Sequence, residues 1–123
     1  MSAVNHRPEQ LAIEVGAGRG AVRLEALPQG RDWLLRITGG EDHVGAVAVA
    51  AEGDVHLHVI GPHKEGPLAE DAARRWAAMT GTVCVSAVGI HQDDITREEI
   101  ATIVANVGAG LTALQKIWKD RRG

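Results

Sequence analysis

The sequence predicts one small soluble α+β domain: a mainly antiparallel sheet of about six strands with two helices packed on one face, in the order β-β-β-β-β-α-β-α. Three observations predict it. The first half alternates apolar and polar residues with period two, the second half changes to helical spacing at Pro67, and Gly or Pro marks each change of direction.

Leu11, Ile13 and Val15 alternate with Ala12 and Glu14, and Val22, Leu24 and Ala26 alternate with Arg23 and Glu25. Gly16, Gly18 and Gly20 lie between the two runs, so they read as a hairpin. Pro28 and Gly30 break the chain before a third strand, with Trp33, Leu35 and Ile37 on one side, and Gly39-Gly40 ends it. The run from Val44 to Ala51 is almost continuously apolar, the pattern of a strand central in the sheet. Gly53 turns it into a fifth strand, Val55 to Val59, and the five form a meander. From Pro67, the spacing of Leu68, Ala72, Trp76 and Met79 predicts a helix that stops at Gly81. Thr82 to Val88 reads as the last strand. Thr96 and Glu99 then form a capping box ahead of a long final helix, in which Gly108 and Gly110 mark close packing or a bend.

The 123 residues suit a single domain, taken as residues 1–123 with 1–8 flexible. Apolar residues are 45% and charged residues 24%, ordinary for a globular chain, which argues against disorder. There is no Phe or Tyr and only 3 Trp, so the stacking platforms of RNA-binding modules are missing. A net charge of -3 supplies no basic field for a nucleic-acid backbone, so any anion must be held locally. Met1 to Gln10 lacks an apolar signal region, no stretch reads as long enough to span a membrane, and the lone Cys84 sits in a Val-rich run, where core packing is its ordinary role. Together these lead to an expectation of cytoplasmic residence.

Three junctions place His beside Gly at predicted strand ends: Gly39 to Gly45 around His43, Gly61 to Gly66 around His63, and Gly89 to Asp94 around His91. Glycine lets another group approach the backbone closely, and imidazole binds metals or donates to phosphate. Singly, each His is an ordinary turn residue; together they read as one ligand site. The middle junction leads into the Pro67 helix, where Lys64 and the backbone N–H groups near Glu65 and Gly66 suit a phosphate, although Glu65 adds an opposing charge and a plain turn explains the segment as well. Asp93 and Asp94 follow His91 as metal ligands, partners for an imidazole, or simply acidic groups ahead of a helix. His56 and His58 share a strand face at a spacing that suits a metal, or a solvated surface. No nucleophile elbow, Cys-x-x-Cys pair or His-Glu-x-x-His helix is present, and Ser86 has no evident base partner.

The ordered set Gly39-Gly40-Glu41-Asp42-His43-Val44-Gly45-Ala46-Val47-Ala48, Gly61-Pro62-His63-Lys64-Glu65 and Gly89-Ile90-His91-Gln92-Asp93 resembles the LpdD-like family of prenylated-flavin chaperones. The resemblance implies a non-catalytic protein that binds prenylated FMN, or FMN, beside a divalent metal ion and assists maturation of a UbiD-type decarboxylase, with a flavin prenyltransferase as a further partner. It makes His43, His63 and His91 the metal-ligand candidates, with Asp42 or Asp93 as substitutes for one of them. Lys64 would assist the phosphate, and Gly39, Gly40, Gly61 and Gly89 would line the cofactor. Ring stacking would have to use a Trp; Trp76 and Trp118 fit helix core stripes, which leaves Trp33. A small metal-dependent enzyme, with Asp93, Asp94 or Glu41 as general base, is the alternative from another class. A structural subunit of a decarboxylase complex is a third. The apolar fourth strand or the long helix would support self-association, but both also suit a monomer's core.

Overall fold

A computed structural model describes residues 9–60 and 64–122; the N-terminal residues 1–8 and the Gly61, Pro62 and His63 of the middle junction lie outside the described residues. The strands are β1 (Leu11–Val15), β2 (Val22–Gln29), β3 (Asp32–Gly40), β4 (Ala46–Ala51), β5 (Asp54–Val59) and β6 (Cys84–His91), and the helices are α1 (Gly66–Thr80) and α2 (Arg97–Arg122). They make one six-stranded sheet in the order β1-β2-β3-β6-β4-β5. The α+β class and the element order are those read from the sequence.

Each pairing of sequence neighbours has a local cause. The β1–β2 hairpin is antiparallel, closed by a 3-10 turn at Gly18–Gly20. Pro28 does not break the chain; it lies inside β2 opposite Trp33, beyond the last rung with β1 at Ala26, so its missing N–H interrupts nothing in that ladder. Between β4 and β5, Glu52 and Gly53 both take positive φ, 51° and 87°, as the tight turns of twisted hairpins require.

The expected meander is not formed. β6 inserts between β3 and β4, parallel to the first and antiparallel to the second. β4 is therefore an interior strand next to the edge strand β5, and it starts at Ala46, because residues 41–45 are used to cross the end of β6. β6 also runs beyond the predicted Val88, since Gly39 and Gly40 of β3 pair with Ile90 and His91.

Both helices lie on one face, α1 over β4, β5 and β6 and α2 over β1 and β2. Leu24, Leu35, Ile37, Val88, Trp76, Val107, Leu111 and Leu114 are buried between the layers. β4 and β6 turn their small residues inward, Ala46, Ala48 and Ala50 on one and Cys84 and Ser86 on the other, which lets α1 approach the sheet closely. Ser86 completes that contact by donating to the Ala69 carbonyl at 2.6 Å. Trp33 is core rather than a free stacking surface: it is buried edge-to-face on Trp76, with ring centroids 5.4 Å apart.

α1 ends where Gly81 enters the left-handed region at φ 68°. α2 begins on the capping box as read: Glu99 N–H donates to Thr96 Oγ1 at 3.0 Å, and Thr96 N–H donates to Glu99 Oε1 at 2.9 Å. At 26 residues α2 is, contrary to the expectation from sequence, long and apolar enough to cross a membrane. Here it packs on the sheet through Ile103, Val107, Gly110, Leu111 and Leu114. Its two glycines differ. A Cβ on Gly110 would lie 2.6 Å from Leu24 Cδ1, whereas one on Gly108 would meet open space.

Two outcomes follow from this packing. Gly108→Ala raises stability by about 0.5–1 kcal/mol through helix propensity, while Gly110→Ala gains nothing or loses about 1 kcal/mol against the buried Leu24; paired urea titrations read the difference. Burial pushes the Cys84 thiol up to about 12, whereas an unfolded thiol ionises near 9.0. Between those values only the unfolded chain has lost the proton, so stability falls as pH rises through that window. At pH 8 a maleimide should leave the native chain unmodified and label it fully in denaturant.

Candidate functional site

Three chain segments meet at the end of the sheet where β3 and β6 finish and β4 begins. The segment 41–45 leaves β3, crosses β6 and enters β4. A Cβ on Gly89 would overlap the His43 carbonyl, so only glycine lets this crossing lie against β6. Gly45 N–H then donates to the Val88 carbonyl at 2.8 Å, and Glu41 N–H to the His91 carbonyl at 2.9 Å, pinning the crossing at both ends.

Glu65 joins the crossing to α1. It occupies the N-cap position but makes no side-chain capping bond. Its carboxylate, 8% exposed, lies 2.9 Å from His43 Nε2 and accepts the Ile90 N–H at 3.1 Å. The carboxylate fills the space a Cβ on Gly45 would take. His43 Nδ1 is 3.3 Å from the Glu41 carbonyl oxygen, so both ring nitrogens are oriented by neighbours.

His91, the last residue of β6, is exposed, and its Nε2 lies 3.0 Å from Asp93 Oδ1. Its ring stands edge-to-face to that of His43, with centroids 5.9 Å apart. The loop after it is fastened to the β1–β2 turn. Gln92 Nε2 donates to the Arg19 carbonyl at 3.0 Å, and the Arg19 guanidinium bonds Glu99 and the Asp93 carbonyl. That guanidinium holds the Glu99 carboxyl below its usual range. Asp94 takes a left-handed turn, φ 52°, on the way into α2.

Beside His91 lies a groove of about 290 Å³ between the starts of α1 and α2. Ile90, Ile95, Ile100, Ile103 and Val104 give it aliphatic walls, and Lys64, Glu65, His91 and Gln92 line its polar side. Ile100 and Val104 are 39% and 47% exposed, so an apolar surface is open there to a ligand.

The structure therefore brings together His43, His91 and the Lys64–Glu65 step, and His63 is outside the described residues. Gly61 is outside them too. Gly39, Gly40 and Gly89 serve close approaches of the chain to itself: a Cβ on Gly39 would crowd the Ala21 carbonyl, one on Gly40 the His91 carbonyl, and one on Gly89 the His43 carbonyl. Asp42 lines a second hollow with His43, Arg23, Arg36 and Thr38. His56 and His58 lie on β5 opposite Val49 and Val47, on the sheet face away from the helices. A larger concavity, about 560 Å³, is lined by Arg31, Asp32, Glu52, Asp54 and Arg74 and contains none of the expected residues. Among the described residues no group of three or more His, Cys, Asp or Glu converges as a metal site.

Glu65 is the functional residue that sequence reasoning missed as a positioning group. Its removal takes away the acceptor of the Ile90 N–H and the carboxylate against which the His43 ring lies. Glu65→Ala should destabilise the fold by about 2–4 kcal/mol, and Glu65→Gln, which still offers an amide oxygen, by roughly half as much. Urea unfolding gives the magnitudes, and loss of the His43 ring shifts in NMR spectra assigns the effect to this junction.

Comparison with known proteins bears on the same elements. The nearly full-length fold is similar to a solved chain from a chaperone complex for yeast 20S proteasome assembly, at 13% identity, with a TM-score of 0.57 over 94% of this chain and 98% of that one. At that identity the likeness is one of fold. A search of curated proteins gives no match. A family profile described as the prenylated flavin chaperone LpdD-like domain matches residues 16–119, a span that contains all three junctions, the buried Glu65 and the groove; this chain belongs to that family.

Proposed function

We propose that this protein is a non-catalytic carrier that binds prenylated FMN, or FMN, at the end of the sheet and assists maturation of a UbiD-type decarboxylase in the cytoplasm, with a flavin prenyltransferase supplying the cofactor. The observation that carries the reading is the groove: aliphatic walls from Ile90, Ile95, Ile100, Ile103 and Val104 adjoin Lys64, His91 and the start of α1. A flavin of this kind has the matching division, an apolar ring system at one end and a phosphate monoester at the other. The first-turn N–H groups of a helix face its N-terminus and favour an anion there, and Lys64 adds a positive charge. The charge of Glu65, turned towards His43 and Ile90, is shared within the fold.

The groove's size supports delivery over permanent holding. About 290 Å³ is below the range of roughly 300–1,000 Å³ typical of small-molecule pockets. It accommodates one end of the cofactor and leaves the remainder accessible to an acceptor enzyme. The exposed Ile100 and Val104 are then a surface on which a ring rests and from which it departs without unfolding the core.

A divalent metal ion is a further element of this reading. His43 and His91 have the right chemistry and lie near one another, but their Nε2 atoms face Glu65 and Asp93, and the described residues do not complete a donor set. His63 would have to supply the third imidazole, and no step of binding is assigned to the ion.

Co-expression with a flavin prenyltransferase, anaerobic purification, and absorbance and mass spectrometry test the proposal. Wild-type protein should retain flavin in stoichiometric amounts; Lys64→Ala and His91→Ala should each lower retention about tenfold, the size of one lost charge-assisted hydrogen bond. Ile100→Asp should lower it as much without changing the folded spectrum. Equal retention in all four proteins sinks the site, and repeated substrate turnover by the isolated chain would make it an enzyme. Elemental analysis of the flavin-loaded protein, with His63→Ala alongside, decides whether a metal accompanies the cofactor.

A further inference from the structure

The sheet has a second face, which neither helix covers. On β4 the small residues Ala46, Ala48 and Ala50 point to the helices, and the larger, β-branched Val47 and Val49 point away. Cross-strand register places Ala87 beside Val47 and Val85 beside Val49, then Leu34 beside Val85 and Leu27 beside Leu34. These six side chains form a continuous patch over the middle of the sheet, and each is half-buried by its neighbours alone. A one-sided antiparallel sheet ordinarily turns polar residues to water. Polar residues share this face with the patch: Glu14 on β1, Arg23 and Glu25 on β2, Arg36 and Thr38 on β3, and His56 and His58 on β5. The polar flank is itself ordered: Arg36 donates to Glu25 Oε1 through Nε at 3.0 Å and Nη2 at 2.8 Å, and Arg23 bonds Glu14 at 2.9 Å.

We propose that this face is covered by the same face of a second copy of the chain, giving a two-fold dimer in which two sheets pack face to face with the helices outside. The patch fits that occupant in shape and area. Flat sheet faces bearing branched aliphatic residues interdigitate at about 10 Å separation. Six strands spaced about 4.8 Å apart and some 20–25 Å long present roughly 600–700 Å² per copy, close to the ~800 Å² per partner of a stable interface. A two-fold axis parallel to the strands lays the β1–β2 flank of one copy over the β5 flank of the other. Cross-strand register then lays Leu27, Leu34, Val85 and Val49 of one copy over Val49, Val85, Leu34 and Leu27 of the other. The arrangement leaves the groove beside His91 open, because that groove is built from α1 and α2 on the opposite face.

Sedimentation equilibrium of the full chain over micromolar concentrations tests this independently of flavin. The wild type should show twice its 13.0 kDa mass. Val49→Lys combined with Val85→Lys should give a monomer with the same helical circular dichroism. If that variant fails to fold, Val49→Thr with Val85→Thr keeps shape and strand propensity, and should weaken association at least about tenfold, as expected for the loss of roughly 1.4 kcal/mol. A wild type that stays monomeric throughout overturns the proposal. So does a folded lysine variant that remains dimeric, or a monomer that uses this face only on adding a UbiD-type decarboxylase.

Discussion

Strand β6 pairs with β3 on one side and β4 on the other, so the chain linking β3 to β4 has to pass over the end of β6. Almost everything at the candidate site follows from that crossing. It needs Gly89 beneath it, because a side chain there would occupy the position of the His43 carbonyl. It delivers His43 to Glu65 and places the His43 ring beside that of His91. The Glu65 carboxylate then ties the crossing, the end of β6 and the start of α1 into one unit. A buried carboxylate is costly unless it is compensated, and here the Ile90 N–H donates to it and the His43 ring lies against it.

The fold thereby separates two tasks. Rigidity comes from the junction of Glu65, His43 and Ile90, whose parts come from three distant stretches of chain. In the proposed reading, ligand access comes from the adjoining aliphatic groove, whose walls at Ile100 and Val104 remain exposed. The Arg19 contacts to the loop after His91 extend the rigid part as far as the β1–β2 turn. A site with a fixed polar edge and an open apolar wall suits a carrier, which has to orient a cofactor and also part with it.

Local features were legible in the sequence because their causes are local. The Thr96–Glu99 box, the stop at Gly81 and the alternation in β1 to β3 depend on residues a few positions apart. The insertion of β6 was not legible, since a period of two says which residues share a face and is silent about which strands are neighbours. The glycines at 39, 40 and 89 signalled close approach correctly, but what approaches them is the chain's own backbone. Glu65 looked like an obstacle to phosphate because its partners, His43 and the Ile90 N–H, are far away in sequence; the signal that would have found it is Gly45, a glycine in a strand approach with no turn to explain it. The near-continuous apolar pattern of β4 did say that it lies inside the sheet, and β6 and β5 flank it.

The central claim is that the end of the sheet beside His91 is where the flavin rests. Anaerobic titration of isotopically labelled protein with prenylated FMN, followed by amide and methyl NMR shifts, tests it directly. The account predicts saturable shifts at Lys64, Ile90, Ile95, Ile100 and Val104, with Val47, Val49 and Val85 on the opposite face unmoved. Shifts confined to that opposite face, or to the concavity around Arg31 and Arg74, would contradict it.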